Sequence, residues 1–255
     1  MLRFCCLGSG SEGNATVVEA GDGLATTRVL LDNGFNGRQL RQRLARAGLG
    51  IDDLDAVVLT HEHSDHVGGV RALLRHSGLP VYCSSGTARA ASLETTFREV
   101  VAGEIVAIGA LRLMPFPVAH DAAEPLQYVF GDGERRLGVL TDVGAPGDDV
   151  INALAGVEAL LLECNHDVGM LRASAYPPFL KARILGDHGH LSNAQAASLL
   201  GRLDRRRLGL VAAGHLSRRN NQPHLAQEAL ADVLGCAAQD VLVADQDCGL
   251  AWQRC

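Results

Sequence analysis

Directly behind the apolar run 56–60 stand His61, Glu62, His63, Ser64, Asp65 and His66. In extended backbone residues i and i+2 point the same way, so His61 and His63 can present two imidazoles to one ion. A turn after them lets Asp65 and His66 face a second ion. Four ligand-type side chains within six positions are hard to explain by packing, because crowded titratable groups are costly to bury without a cation. The segment predicts a metal site at the edge of a sheet.

Other apolar runs end the same way. His120 follows 111–118, Asp142 follows 137–141, and His215 follows 208–212 and a glycine. A rigid sheet presents a site by ending strands in ligands. Glu163, at the end of 159–163, and His190, just before the capping box Ser192-Asn193-Ala194-Gln195, suggest an additional acid–base pair. A helix N-terminus disfavours a charged imidazole, and a nearby carboxylate offsets that.

Further strands are expected at 2–7, 15–20, 28–32, 126–130 and 241–244, and helices at 37–47, 67–76, 148–154, 193–203 and 223–234. In the first helix Leu40, Leu44 and Ala47 form an apolar stripe. Strands grouped at both ends of the chain with helices between them predict an α/β fold with two mixed sheets packed face to face and helices outside. No GxGxxG follows the first strand and no GxxxxGK[ST] occurs, so dinucleotide and P-loop sites lack their glycines. The Ser9-Gly10-Ser11-Glu12-Gly13-Asn14 loop is a tight polar turn whose amides can face an anion.

The formal net charge of −6 speaks against a global electrostatic grip on nucleic acid. Two divalent ions in one cleft would still focus anions locally. Arg218 and Arg219, directly behind His215, are within reach of a phosphate, whereas Arg205, Arg206 and Arg207 read as a solvated run. Seven cysteines, an odd number without a CxxC pair, read as a reduced set. With no signal-like start and no apolar run near the roughly 18–20 residues of a membrane span, a cytoplasmic chain with no membrane partner is expected.

HxHxDH, followed by His120, Asp142 and His215 and preceded by a strand ending Leu30-Leu31-Asp32, resembles the metallo-β-lactamase fold superfamily over essentially the whole chain. Ser9 to Asn14, Gly189-His190-Leu191-Ser192-Asn193, and His215-Leu216-Ser217-Arg218-Arg219-Asn220-Asn221 resemble its YycJ-like (VicX/WalJ) branch, which is similar to RNase Z and cyclic phosphodiesterases. The resemblance implies a four-layer αββα sandwich, here a single domain over residues 1–255. It implies one metal held by His61, His63 and His120, a second by Asp65, His66 and His215, and Asp142 bridging them. Asp32 would brace the ligand loop. Zinc is favoured, with manganese or iron open. Two such ions share a water and lower its pKa from about 15.7 to roughly 7. Asp65 would orient the resulting hydroxide and take its proton, and His190, oriented by Glu163, would be the general acid.

Candidate substrate contacts are Ser9, Ser11 and Asn14, then Asn165 and His166, then Arg218 and Asn220. The implied reaction is phosphodiester hydrolysis, and within it 5′-exonuclease action on DNA. The 21 residues between His120 and Asp142 leave no room for the tRNA-gripping arm of RNase Z, and the 72 between Asp142 and His215 none for a β-CASP insertion. A small-molecule hydrolase (cyclic phosphodiesterase or glyoxalase II-like thioesterase) is the alternative. A non-catalytic regulator is disfavoured by the complete ligand set. Oligomeric state is left open.

Overall fold

The first two strands show why the chain folds in layers. In β1 (Leu2–Gly8), Leu2, Phe4 and Cys6 point into one apolar core, while Cys5 and Leu7 point into another. In β2 (Ala15–Gly21), Val18 and Ala20 oppose Ala15 and Val17 in the same way. This is the period-two alternation of strands buried on both faces. The computed structural model describes residues 1–21, Gly23, 25–93 and 97–255.

The strands that follow are β3 (Thr26–Leu31), β4 (Ala56–Val58), β5 (Val81–Cys83), β6 (Phe97–Glu99), β7 (Val106–Ile108), β8 (Leu111–Pro117), β9 (Leu126–Gly131), β10 (Arg136–Leu140), β11 (Ala159–Glu163), β12 (Leu210–Gly214), β13 (Leu242–Val243) and β14 (Leu250–Arg254). Among the described residues they form two seven-stranded sheets, ordered β14-β1-β2-β3-β4-β5-β6 and β13-β12-β11-β10-β9-β8-β7. Each sheet is mixed. Pairing is antiparallel from β14 to β3 and parallel from β3 to β6. In the second sheet it is antiparallel from β7 to β10 and parallel from β10 to β13.

The helices are α1 (Gly37–Arg46), α2 (Ser64–Val67), α3 (Val70–Ser77), α4 (Ser85–Ala90), α5 (Asp148–Leu154), α6 (Val168–Ala173), α7 (Pro178–Leu185), α8 (Asn193–Arg202) and α9 (Pro223–Leu234). Leu40 and Leu44 of α1 and Val70 and Leu73 of α3 cover the first sheet. Val150 and Leu154 of α5, Leu199 and Leu200 of α8 and Leu230 of α9 cover the second. Phe4, Tyr128 and Phe130 fill the space between the sheets. The result is the expected αββα sandwich. No helix among the described residues is long and apolar enough to cross a membrane.

Register carries the strand ends to a common edge. Leu31 pairs with Val58, Leu140 with Leu162, and Glu163 with Gly214. Each pair stands just before a polar turn: Asp32, Thr60 and His61 on one sheet, Asp142 and His215 on the other.

Local departures from the expected elements have physical reasons. The helix expected over 67–76 is broken at Gly68 and Gly69. Gly69 donates its N–H to Asn33 O at 2.9 Å, and a Cβ on it would lie 1.8 Å from Phe35 O. The strand expected over 56–60 ends at Val58, and the Thr60 N–H goes to Asp32 Oδ1 at 2.9 Å. β5, β6 and β7 are three residues each, too short for a periodic signal. The expected helix over 37–47 forms with a full capping box: Asn36 accepts from Arg38 N and Gln39 N, and Gln39 Oε1 accepts from Asn36 N.

Gly34 is where this scaffold presses on the ligand loop. A Cβ there would lie 1.9 Å from Asp65 O. Gly34→Ala is expected to cost roughly 1–3 kcal/mol through overpacking. It should also shift the loop carrying Asp65 and His66. A thermal melt with elemental analysis checks this; a variant with wild-type melting and full metal content would refute it.

Candidate metal centre

Three residues at this edge hold left-handed backbone: Asp32 at φ 58°, Asp142 at φ 55° and His215 at φ 54°. Such conformations cost about 1–3 kcal/mol each and persist only where the surroundings impose them. Each follows within two residues of a strand end, and the turn brings its side chain back across the sheet edge.

The ligand-type atoms converge in two groups. His61 Nε2 and His120 Nε2 lie 3.0 and 3.2 Å from His63 Nδ1. Asp65 Oδ2 lies 3.5 Å from His66 Nε2 and 3.6 Å from His215 Nε2. Asp142 stands between the groups, with Oδ2 3.0 Å from His66 Nε2 and Oδ1 3.6 Å from His215 Nε2 and 3.9 Å from His120 Nε2. His61, His63 and His120 offer one set of atoms that could hold an ion, and Asp65, His66 and His215 another. The seven side chains expected to converge do so.

The chemistry of the donors fits cations. His215 Nε2 and Asp142 Oδ2 are buried and make no hydrogen bond. Orphaned buried polar atoms are expensive, and both face other ligand-type atoms. Nitrogens 3.0–3.2 Å apart, turned toward each other, serve an ion better than packing.

Ring orientations are fixed from behind, as metal-binding imidazoles require. Asp32 Oδ2 accepts from His66 Nδ1 at 2.8 Å, and Asp32 is itself held by Thr60 N and Oγ1, both at 2.9 Å. Gly189 O lies 3.1 Å from His120 Nδ1, and Asp121 O 3.2 Å from His63 Nε2. Glu163 Oε1 accepts from both His215 Nδ1 at 3.0 Å and His190 Nδ1 at 2.9 Å. Glu163 Oε2 accepts from Val143 N and Leu191 N, each at 3.1 Å. Burial disfavours charge on this triad, but the partners outweigh it. The His190 imidazole, beside Glu163, is held above its ordinary pKa. His215, facing Asp142, Asp65 and Glu163, is raised to about 10, and Glu163 falls to about 2.

The sequence profile described as the Beta-lactamase superfamily domain matches residues 27–211, most of the chain. The chain belongs to the β-lactamase superfamily. Among curated superfamily relatives, Exodeoxyribonuclease YycJ of Bacillus anthracis is 35% identical over 239 residues, covering 91% of this chain and 89% of that protein. Exodeoxyribonuclease WalJ of Streptococcus pneumoniae serotype 2 is 33% identical over 244 residues, covering 92% and 89%. The metallo-β-lactamase fold protein YhfI of Bacillus subtilis superposes with a TM-score of 0.75 at 14% identity, over 99% of this chain and 98% of that one, a likeness of fold.

A cavity of about 370 Å³ opens over the candidate ligand cluster, lined by Ser11, His63, Ser64, Asp65, Asp142, Asn165, Tyr176, Leu180, Arg183, Ile184, His190, His215 and Ser217. Of the expected substrate contacts, Ser11 and Asn165 line it. The others do not. Ser9 is buried and its Oγ accepts from His215 N at 2.7 Å, so it shapes the left-handed turn. Asn14 is buried against the ligand loop: its Nδ2 donates to Asp65 Oδ2 at 3.3 Å and lies 3.0 Å from His66 Nε2. His166 and Asn220 are fully covered, with burial pushing the His166 pKa down to about 4. Arg218 turns to Asp247 and Glu12, at 2.5 and 3.4 Å, and lines a neighbouring pocket with Leu216, Pro223 and Val243.

Tyr176, Leu180, Arg183 and Ile184 of the cavity wall lay outside the sequence reading, and so did Asp121. Asp121 Oδ1 lies 3.4 Å from His120 Nε2, and its Oδ2 accepts from Arg183 Nε at 2.5 Å. A single acid behind a predicted ligand carries no motif; only its place beside the His120 ligand could have flagged it.

Asp142→Asn should reduce bound metal at both positions, because the one carboxylate reaches both groups. Asp32→Asn should weaken metal affinity about 10–100-fold, through the loosened His66 ring. Metal titration with elemental analysis reads both; full stoichiometry in Asp142→Asn would refute the shared role.

Proposed function

We propose that this chain is a metal-dependent phosphodiesterase whose substrate is a nucleic acid, with the end of a DNA strand favoured. What carries the reading is that two ligand groups meeting at Asp142 share one open cavity with a separately braced Glu163–His190 pair. The choice of DNA leans on the two exodeoxyribonuclease relatives, each matched over nearly its full length.

His61, His63 and His120 would hold one divalent ion and Asp65, His66 and His215 a second, with Asp142 common to both; zinc suits this donor set best, and manganese or iron also suit it. When bound, such ions acidify water and draw negative charge from phosphoryl oxygens. The side chains supply the rest. Asp65 is held ionised against burial by its contacts with His215 and His66, and it lines the cavity. Its carboxylate accepts a hydrogen bond from the attacking water, orients it and receives its proton. With His190 Nδ1 committed to Glu163, Nε2 is the ring nitrogen left to donate to the departing oxygen, which takes the electron pair of the broken P–O bond. Asp32 keeps the His66 ring in line. All seven cysteines are free, which supports a reducing, cytoplasmic setting.

His190→Ala should keep its metal and lose turnover on 5′-phosphorylated DNA by roughly 10²–10⁴-fold, the range for lost acid–base help. Unchanged turnover with intact metal would remove His190 from the reaction. A parallel panel of bis-p-nitrophenyl phosphate and a thioester separates the readings: hydrolysis of a small ester without any cleavage of DNA would favour the small-molecule hydrolase.

A further inference from the structure

We infer that helix α7 holds the single strand leaving the metal cavity, with Arg183 on a phosphate and Phe179 stacked against a base; the inference rests on the nucleic-acid reading above. The helix buries none of its residues fully, although Phe179, Leu180, Ile184 and Leu185 are large and apolar. Among the described phenylalanine, tyrosine and tryptophan side chains, only Phe179 is exposed, at 75%. Leu185 of the same helix is exposed as well, so α7 offers more than one large apolar side chain to solvent beside the cavity, and clustered apolar surface marks a contact surface.

The helix is nevertheless fixed in place. Lys181 Nζ donates to Arg172 O at 2.7 Å, Arg183 Nε to Asp121 Oδ2 at 2.5 Å, and His190 N to Ile184 O at 3.0 Å. A Cβ on Gly189 would lie 2.2 Å from Ile184 O, so only glycine lets the His190 loop lie this close to α7. The platform is therefore tied both to the proposed general acid and to the residue beside His120.

Its orientation suits one kind of occupant. Leu180, Arg183 and Ile184 line the cavity with Tyr176, and Arg183 is the one lysine or arginine among the cavity-lining residues. Its guanidinium is half exposed, and its two Nη groups have no hydrogen-bond partner among the described residues. Phe179 precedes Arg183 by four residues, so the two lie on one side of the helix, the cation lining the cavity and the ring exposed to solvent outside it. A guanidinium fork matches phosphate oxygens, and an aromatic face accepts any unstacked base. Lys181 and Arg172, joined through the Arg172 carbonyl, add positive charge on and next to α7 in a chain whose net charge is −6.

The test is steady-state cleavage of 5′-phosphorylated single-stranded DNA by the metal-loaded protein. Phe179→Ala should raise KM about tenfold, the scale of one lost stacking contact, and move KM more than kcat. Phe179→Trp should restore KM. On a strand abasic at the stacked position, wild type should lose affinity and Phe179→Ala should lose no more. Arg183→Ala should flatten the slope of log KM against log salt by about 0.7, and Arg183→Lys should keep it. An unchanged KM in Phe179→Ala, or equal losses on intact and abasic strands, would overturn the inference. So would a KM change accompanied by a change of mass in light scattering, which would make α7 a protein interface. If wild type cleaves no DNA at all, the nucleic-acid reading itself falls, and this one with it.

Discussion

Six imidazoles and five carboxylates crowd the edge of the sandwich, and the charges among them must be balanced by their neighbours. His61, His63, His66, His120, His190 and His215 meet Asp32, Asp65, Asp121, Asp142 and Glu163 at contact distances of a few ångströms. Taken alone, a buried charge of either kind would cost several kcal/mol, about the scale of the whole fold's stability. The arrangement survives because every acid faces at least one imidazole, and because the strands behind it end in buried apolar residues such as Leu30 and Leu31, Val139 and Leu140, and Leu161 and Leu162. β11 shows the division: Ala159, Leu160, Leu161 and Leu162 anchor it, and Glu163 spends all its lone pairs on two rings and two amides.

The sheets divide the labour. The first supplies His61, His63, Asp65, His66 and their brace Asp32; the second supplies His120, Asp142, Glu163 and His215. The parallel strands β3, β4, β10, β11 and β12 end at the site, and the antiparallel β8 leads into His120. Left-handed turns at Asp32, Asp142 and His215 then do locally what the sheets do globally, turning the chain sharply enough for a short side chain to reach across.

Much of this was legible in the sequence, for a definite reason. Ligand-type residues placed directly after apolar runs break the expected polarity of a strand, so His61, His63, Asp65, His66, His120, Asp142, His215 and Glu163 stood out against their surroundings. The capping box behind His190 did the same for that residue. Substrate contacts were harder. Ser9 and Asn14 sit in a loop whose composition suits an anion, but Ser9 is used up on a backbone amide and Asn14 on the ligand loop. His166 looks like its neighbours in the text and ends in the interior. Helix α7 escaped notice because its apolar residues follow no amphipathic period. The three-residue strands β5, β6 and β7 fall below the length at which alternation means anything.

Because the candidate ligands come from both sheets, any ion seated among them would also be a rivet through the seam of the sandwich. Binding that favours the folded form adds to its stability in proportion to the logarithm of free ligand over dissociation constant. Starved of its cation, the same molecule would keep its apolar layers but lose the clasp at one edge, where only hydrogen bonds and ion pairs between the acids and imidazoles would remain. The metal supply of the cell would set how long each copy lasts as well as how fast it works.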